Sequence, residues 1–342
     1  MVKQRGGPSE TATKNTILNR RNFLRLGLLF AGSAATGLGL RELFRHRHPG
    51  MQTPEKRTPV EEFLLQFPDR VPGVKDVKKF PVLNARHCLV HIRHMHSVEN
   101  NARMFDSKVF TKEFLEKLSP EKRTIVEALR AKMKNIVVEA AAHEASVEAD
   151  LAMTYPYLAE HQGMHTLYIE GMDEQGDAAL KALQETLVKG MRVDHLLRDS
   201  IGRLPPQHPK RAALEQNLKE TTAMRKNALL EPQRVLGSAV DLWAQGHIGV
   251  RAADKREILD KVFDLATDIN RVNFPELLKK GQSLRELTLL MKASENTITF
   301  VRFGGNHKWW QRIQEWNSET PNDAFSLIEI TPASYKECDM QK

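Results

Sequence analysis

Histidines and a glutamate that could carry out acid–base or metal chemistry follow three apolar segments of this sequence. His94 and His96 end the first segment, and Glu170 ends the second. His307 follows the third segment, directly after Gly304-Gly305-Asn306. Two or three imidazoles and a carboxylate around one cleft would suit metal ligation or general acid–base catalysis.

Four short runs rich in branched and aromatic residues predict the strands that would position these side chains. They are 88–95, 166–170, 298–303 and 326–330. Long segments of helical composition lie between them, at 121–161, 174–198, 209–245 and 253–293. Strands separated by helices indicate an α/β fold with a central, mostly parallel sheet flanked by helices. The high helical share predicts a helix-rich insertion, with 173–245 as a helical cap.

Ligands of such sheets bind beyond the carboxyl ends of the strands, so we expect the three segment ends to meet there. Residues of equal parity on a strand share a face, which puts His94 and His96 on one side and His91 on the other. A set of His94, His96 and His307 with Glu170 would supply ligands suited to zinc, manganese, iron or cobalt. A haem iron held by one histidine is the alternative, and purely structural use is a third.

The same residues resemble a known group of proteins. The stretches 91–97, 167–171 and 301–307 are similar to the His-containing, Glu-Gly and Gly-x-x-His motifs of the TraB/ChaN/erythromycin-esterase-like superfamily. The resemblance covers roughly residues 81–335 and includes a late helix with an arginine, Arg285. Arg93 and His94 depart from it, since they stand where the family pattern has Gly and then Glu or Gln.

Several roles are implied by this resemblance. Glu170 and Arg285 become candidate catalytic residues; His96, Glu170 and His307 become candidate ligands of a divalent metal, zinc, manganese or iron. Independently of the resemblance, the histidine-rich first strand makes His94 a candidate cofactor-binding residue, with haem as the alternative cofactor. The implied function is a metal-dependent hydrolase of the cell envelope with an unknown substrate. The altered Arg93-His94 pair keeps open a non-catalytic protein that binds haem, iron or a partner, or a scaffold whose cleft Arg93 fills.

The N-terminal segment predicts export. Arg20-Arg21-Asn22-Phe23-Leu24 precedes a moderately apolar run to Leu40, the pattern of a twin-arginine signal. The twin-arginine export machinery is therefore an expected partner, and the protein is expected in the periplasm or tethered to the inner membrane through residues 22–40. Cleavage of the signal is left open.

Charge along the chain argues against nucleic-acid binding. Residues 1–50 hold nine Lys and Arg against two acids, a net +7, whereas the other 292 residues hold 42 against 41, a net +1. Because a nucleic-acid surface needs a basic stripe on the folded part, no nucleic-acid partner is expected.

Proline and cysteine positions complete the predicted organisation. Six prolines between 49 and 81 predict a linker over 46–80, between a signal segment 1–45 and an α/β domain 81–335 with a tail 336–342. The two cysteines are far apart, and Cys88 is expected to be buried. The sequence contains no CxxC pattern, which excludes thiolate zinc sites and covalent c-type haem.

Overall fold

The computed structural model describes residues 57–95, 116, 119–267, 274–304 and 307–336. Six segments within them, mostly apolar and rich in branched residues, form strands. These are β1 Val74–Phe80, β2 His87–His94, β3 Thr166–Ile169, β4 Gly249–Ala252, β5 Ile298–Gly304 and β6 Phe325–Pro332.

The strands make one sheet in the order β1-β6-β2-β5-β3-β4. Every neighbouring pair is parallel except β1 and β6. In the centre, Val90 of β2 lies opposite Phe300 of β5 and Ile328 of β6. The predicted α/β fold with a mostly parallel sheet is confirmed.

Helices connect the strands, as the segments of helical composition predicted. They are α1 Pro59–Gln66, α2 Pro120–His161, α3 Glu174–Arg203, α4 Arg211–Ala228, α5 Leu230–Leu236, α6 Val240–Ala244, α7 Arg256–Thr267, α8 Phe274–Ala293 and α9 Trp309–Glu319. Short 3-10 turns occupy Gly237–Ala239 and Pro321–Asp323. Among the helices that the structure describes, none has the length and apolar character needed to cross a bilayer.

Alternate strand residues bury the two faces of the sheet in separate hydrophobic clusters. Phe300 packs into the cluster that contains Leu151 of α2 and Leu180 of α3. Its neighbour Val301 packs into the other, with Leu289 of α8 and with Ile313 of α9. This alternation follows from the two-residue period of a strand. We call the first side the α2 face and the second the α9 face.

The predicted linker is wrong over its second half, because residues 59–80 form α1 and β1. The prolines fit these elements rather than interrupting them. Pro59 begins α1 beside the capping residue Thr58, where the missing N–H is not needed. Pro68 and Pro72 lie between α1 and β1, and Pro81 directly follows β1. In this region the prolines therefore lie at or near the ends of short elements.

The range 173–245 is helical, and its helices differ in how they pack. Leu187 of α3 and Trp243 of α6 belong to the hydrophobic cluster on the α2 face. No side chain of α4 is buried, and the buried carboxylate of Asp194 ties α3 to this helix through the Thr221 hydroxyl at 2.7 Å. The function of this region as a cap stays a prediction.

The predicted signal segment 1–45 lies outside the described residues, as does the tail beyond residue 336. Cys88 is fully buried in β2, which confirms the expectation for this residue.

Candidate functional site

Glu170 directly follows β3, at the carboxyl end of the sheet. Its backbone N–H donates to the carbonyl of Arg302 in β5 at 3.1 Å. Its Oε2 atom accepts a hydrogen bond from the N–H of Gly304 at 2.6 Å. Oε1 lies 2.8 Å from Nη1 of Arg285 in α8. The end of β3, the end of β5 and α8 together fix the position of this carboxylate.

Arg285 is held from its other side by Asp254, which follows β4. The carboxylate of Asp254 receives Nε of Arg285 at 2.8 Å and Nη2 at 2.7 Å. The same carboxylate accepts a hydrogen bond from the N–H of Gly171 at 2.6 Å. The backbone carbonyl of Asp254 accepts one from Lys292 at 2.7 Å. Asp254 is fully buried, so a charge-assisted, two-pronged ion pair orients Arg285 toward Glu170.

His307 lies between two carboxylates. Its Nδ1 is 2.7 Å from Oε1 of Glu286, and its Nε2 is 3.6 Å from Oε1 of Glu170. The ring meets Phe303 edge to face with centroids 4.5 Å apart. Glu286 is also bound by Nε of Arg312 at 3.2 Å. The imidazole is therefore fixed on both sides.

The two carboxylates favour the protonated form of His307. Burial lowers the pKa of His307, but the negative groups Glu170 and Glu286 outweigh it and raise this pKa to about 9. For Glu286, burial raises the pKa, and the contacts with His307 and Arg312 more than reverse that effect, so its pKa is lowered. His307 is thus an imidazolium and Glu286 a carboxylate at neutral pH.

Six side chains of alternating charge make up this arrangement, which we call the charged cluster. Its members, in order of contact, are Asp254, Arg285, Glu170, His307, Glu286 and Arg312. Burying charge is costly unless each group has a partner, and the alternation supplies one for each member.

The charged cluster lies at the carboxyl edge of the sheet, where the connections of neighbouring strands diverge. β2 and β3 lead into α2 and α3, whose core residues pack on the α2 face, whereas β5 leads into α9 on the opposite face. Connections that leave neighbouring parallel strands toward opposite faces open a crevice at the carboxyl edge, the usual ligand position in α/β sheets. Perturbed pKa values of buried groups also concentrate at functional sites.

Three of the residues singled out in the sequence are brought together here: Glu170, Arg285 and His307. His94 is the last residue of β2 and lies opposite Gly304 of β5 in the sheet register. His96 lies outside the described residues.

The described part of the predicted metal site fits a cation in two respects. Glu286 holds Nδ1 of His307, the carboxylate–histidine arrangement that orients metal-binding imidazoles. Nε2 of His307 and Oε1 of Glu170 are 3.6 Å apart, less than the sum of two zinc–ligand bonds, about 4.2 Å. No set of three metal-ligating side chains is grouped within the described ranges. The third predicted ligand is His96, so the metal site stays a prediction.

Asp254 and Glu286 were missed as site residues from the sequence. Asp254 follows the short strand β4 Gly249–Ala252, the same kind of signal that identified Glu170, but this strand is not among the four that the sequence predicted. Glu286 directly follows Arg285 on α8, and neighbouring residues of a helix point in different directions. Both contact the same site because His307 reaches α8 from the end of β5.

Arg93, the residue that departs from the family pattern, lies beside β6. Its Nη2 is 3.7 Å from Oε2 of Glu329, and its guanidinium carbon is 5.9 Å from the ring centre of Tyr335. His91 lies 3.8 Å from the same carboxylate. Burial raises the pKa of Glu329, yet His91 and Arg93 lower it overall. Arg93 therefore belongs to a separate ionic group with His91 and Glu329.

Comparisons of this chain with protein-family models, with curated proteins and with solved structures found no match.

Proposed function

We propose that this protein is a hydrolase of the TraB/ChaN-like type that acts in the cell envelope, with Glu170 and His307 as its acid–base pair. One observation carries the proposal: the two ring nitrogens of His307 contact different carboxylates, Glu286 at 2.7 Å and Glu170 at 3.6 Å. A carboxylate that orients a histidine toward a reacting group is the usual arrangement of acid–base hydrolases.

The charge states assign the roles. His307, with its pKa raised to about 9, carries a proton at neutral pH and suits the general acid that protonates the leaving group. Each oxygen of Glu170 has a further lone pair, so the carboxylate can accept a proton from water as that water attacks an ester or amide carbon. The proton then returns from Glu170 to Nε2 of His307, whose distance to Oε1 is 3.6 Å.

Arg285 and Asp254 support this pair. Three nitrogens of Arg285 contact Glu170 and Asp254, which favours a positioning role over direct contact with substrate. The guanidinium also keeps a positive charge beside Glu170. That charge stabilises negative charge as it develops in the crevice.

A divalent metal would add to this chemistry. The predicted ligands are His96, Glu170 and His307, and zinc, manganese or iron bound there would supply a water of lowered pKa. Metal binding to His307 would require loss of its Nε2 proton, so affinity should rise with pH.

Hydrolysis of ester and peptide substrates tests the proposal. The variants Glu170→Gln and His307→Ala are expected to lose at least about a hundredfold in kcat/KM, the typical contribution of an acid–base group. His195→Ala is the matched control because His195 is exposed on α3. Assays with and without a chelator, together with metal content, examine the metal separately. Equal activity of all variants would refute the acid–base pair.

A second candidate is a non-catalytic protein that binds haem, iron or a partner. It is favoured by the saturation of the charged cluster, in which both nitrogens of His307 face carboxylates. A Soret band on titration with haemin that is lost in His94→Ala would support haem binding. A featureless titration together with measurable hydrolysis would leave the first proposal standing.

Export is proposed on the sequence of residues 19–40. The Arg20-Arg21 pair is the feature that the twin-arginine machinery reads. Replacement of both arginines by lysine should retain the protein in the cytoplasm, as cell fractionation would measure. Unchanged export of that variant would rule out this route.

A further inference from the structure

A second polar site lies across the sheet from the charged cluster. Arg302 of β5 has the parity of Phe300, so it faces α2, where its Nη2 pairs with Oε1 of Glu148. Nη1 of Arg302 lies 3.4 Å from the carbonyl oxygen of Val235. Only 5% of the Arg302 side chain is exposed, against 21% of Glu148, so the site meets solvent on the Glu148 side.

The turn at Gly237 is shaped around this carboxylate. Oε2 of Glu148 accepts the backbone N–H of Ser238 at 2.7 Å. Gly237 has φ of +52°, and a Cβ atom there would lie 2.3 Å from the same oxygen. Only glycine allows both this backbone conformation and this close approach.

Three buried donors around Glu148 have no hydrogen-bond partner among the described residues. They are Oη of Tyr155, Oγ of Ser238 and Nε of Arg302. Ser238 and Arg302 both bind the Glu148 carboxylate, and Tyr155 follows Glu148 by seven residues on one face of α2. Burial raises the pKa of Tyr155, so its hydroxyl stays protonated. Buried polar groups without a protein partner are rare, and each requires a physical explanation such as a bound ligand or an ordered water.

We propose that this site binds an uncharged small ligand through a carbonyl oxygen, such as that of an amide or ester. The three free groups can all donate, so they call for an acceptor. Glu148 already offsets the charge of Arg302, and a second carboxylate beside it would be repelled. A neutral oxygen accepts hydrogen bonds from such donors without that repulsion. The site does not depend on the charged cluster or on hydrolysis.

Saturation-transfer NMR of the full chain with acetamide and with acetate tests this site directly. Acetamide should give saturation transfer in the wild type, and Tyr155→Phe should weaken its apparent affinity at least fivefold. Ser238→Ala should also weaken it. The matched control is Tyr157→Phe, since Tyr157 is on the same helix and packs against His161 instead. Circular dichroism verifies that each variant is folded.

Each outcome decides the proposal. Binding of acetamide that Tyr155→Phe weakens and Tyr157→Phe preserves supports it. Equal affinity of the two phenylalanine variants would overturn it, and so would a preference for acetate. Absence of any saturation transfer in the wild type would mean that water alone satisfies the three donors, which would also overturn it.

Discussion

The charged cluster and the Arg302–Glu148 pair lie on opposite sides of β5 and differ in how their buried charges are neutralised. In the charged cluster, Arg285 is 3% exposed and contacts two carboxylates, and His307 likewise lies between two. Across the sheet, Arg302 contacts one carboxylate that remains 21% exposed. The first group satisfies its charges internally, whereas the second keeps unused donors.

We therefore expect the charged cluster to be rigid and the Arg302–Glu148 pair to be able to bind a ligand. A saturated network holds its members in place and makes removal of any one member costly. A pair with free donors beside it is less rigidly determined but can still accept a ligand. The predictions below test whether the two groups differ in this way.

The largest expected effect comes from removing the arginines. Arg285→Met leaves Asp254 and Glu170 without their shared cation in a buried position, which should lower the free energy of unfolding by about 3–5 kcal/mol. Arg302→Met should cost less, because Glu148 reaches solvent. Urea unfolding of both variants measures the difference. Equal losses would show that the two groups are energetically alike.

A smaller effect should appear in the pH dependence of stability. Because the pKa of His307 rises from 6.5 to about 9 on folding, its contribution is complete below pH 6.5 and is lost as the pH rises through 9. The full difference is about 3 kcal/mol. Among the described residues, the groups that face the ring are Glu170, Glu286, Phe303 and Trp309.

His307→Gln removes this titration and serves as the control. Unfolding by urea at pH 6, 7.5 and 9.5 should show a decline in wild type that is reduced in the variant. Parallel pH profiles would contradict the ion pairs assigned to His307.

The smallest effect concerns the turn beside Glu148. Gly237→Ala forces a side chain into a conformation reserved for glycine and against the Glu148 carboxylate, so we expect a loss of about 1–3 kcal/mol. Gly190→Ala in α3 is the matched control, since a Cβ atom there would meet nothing within 4 Å. That substitution should be neutral or stabilising. Similar melting temperatures for the two variants would argue against a rigid turn.

Local patterns in the sequence were sufficient for four of the six strands that the structure describes and for part of the charged cluster. Apolar runs ending in Glu170 and near His307 predicted strands whose carboxyl ends meet, and the structure places these side chains 3.6 Å apart. The rule works because parallel strands deliver their ends to a common edge.

Contacts between distant segments could not be predicted in this way. Arg302 and Glu148 are 154 residues apart, and each would pass alone for an ordinary charged residue on a strand or helix. The pairing of β1 with β6 could not be predicted for a different reason. The prolines around β1 have the spacing of a linker. Only tertiary packing distinguishes a proline that ends an element from one that prevents it.

The position of β6 has a consequence for how the chain is made. This strand, the last along the described chain, lies between β1 and β2, which are among the first elements to leave the ribosome. The sheet cannot form completely until residues 325–332 have been synthesised. Until then, the edges of β1 and β2 that pair with β6 have no hydrogen-bond partner. The central sheet of this domain is therefore completed only by its last described strand, and a stop codon before residue 325 should yield a species in which β1 and β2 lack their shared partner.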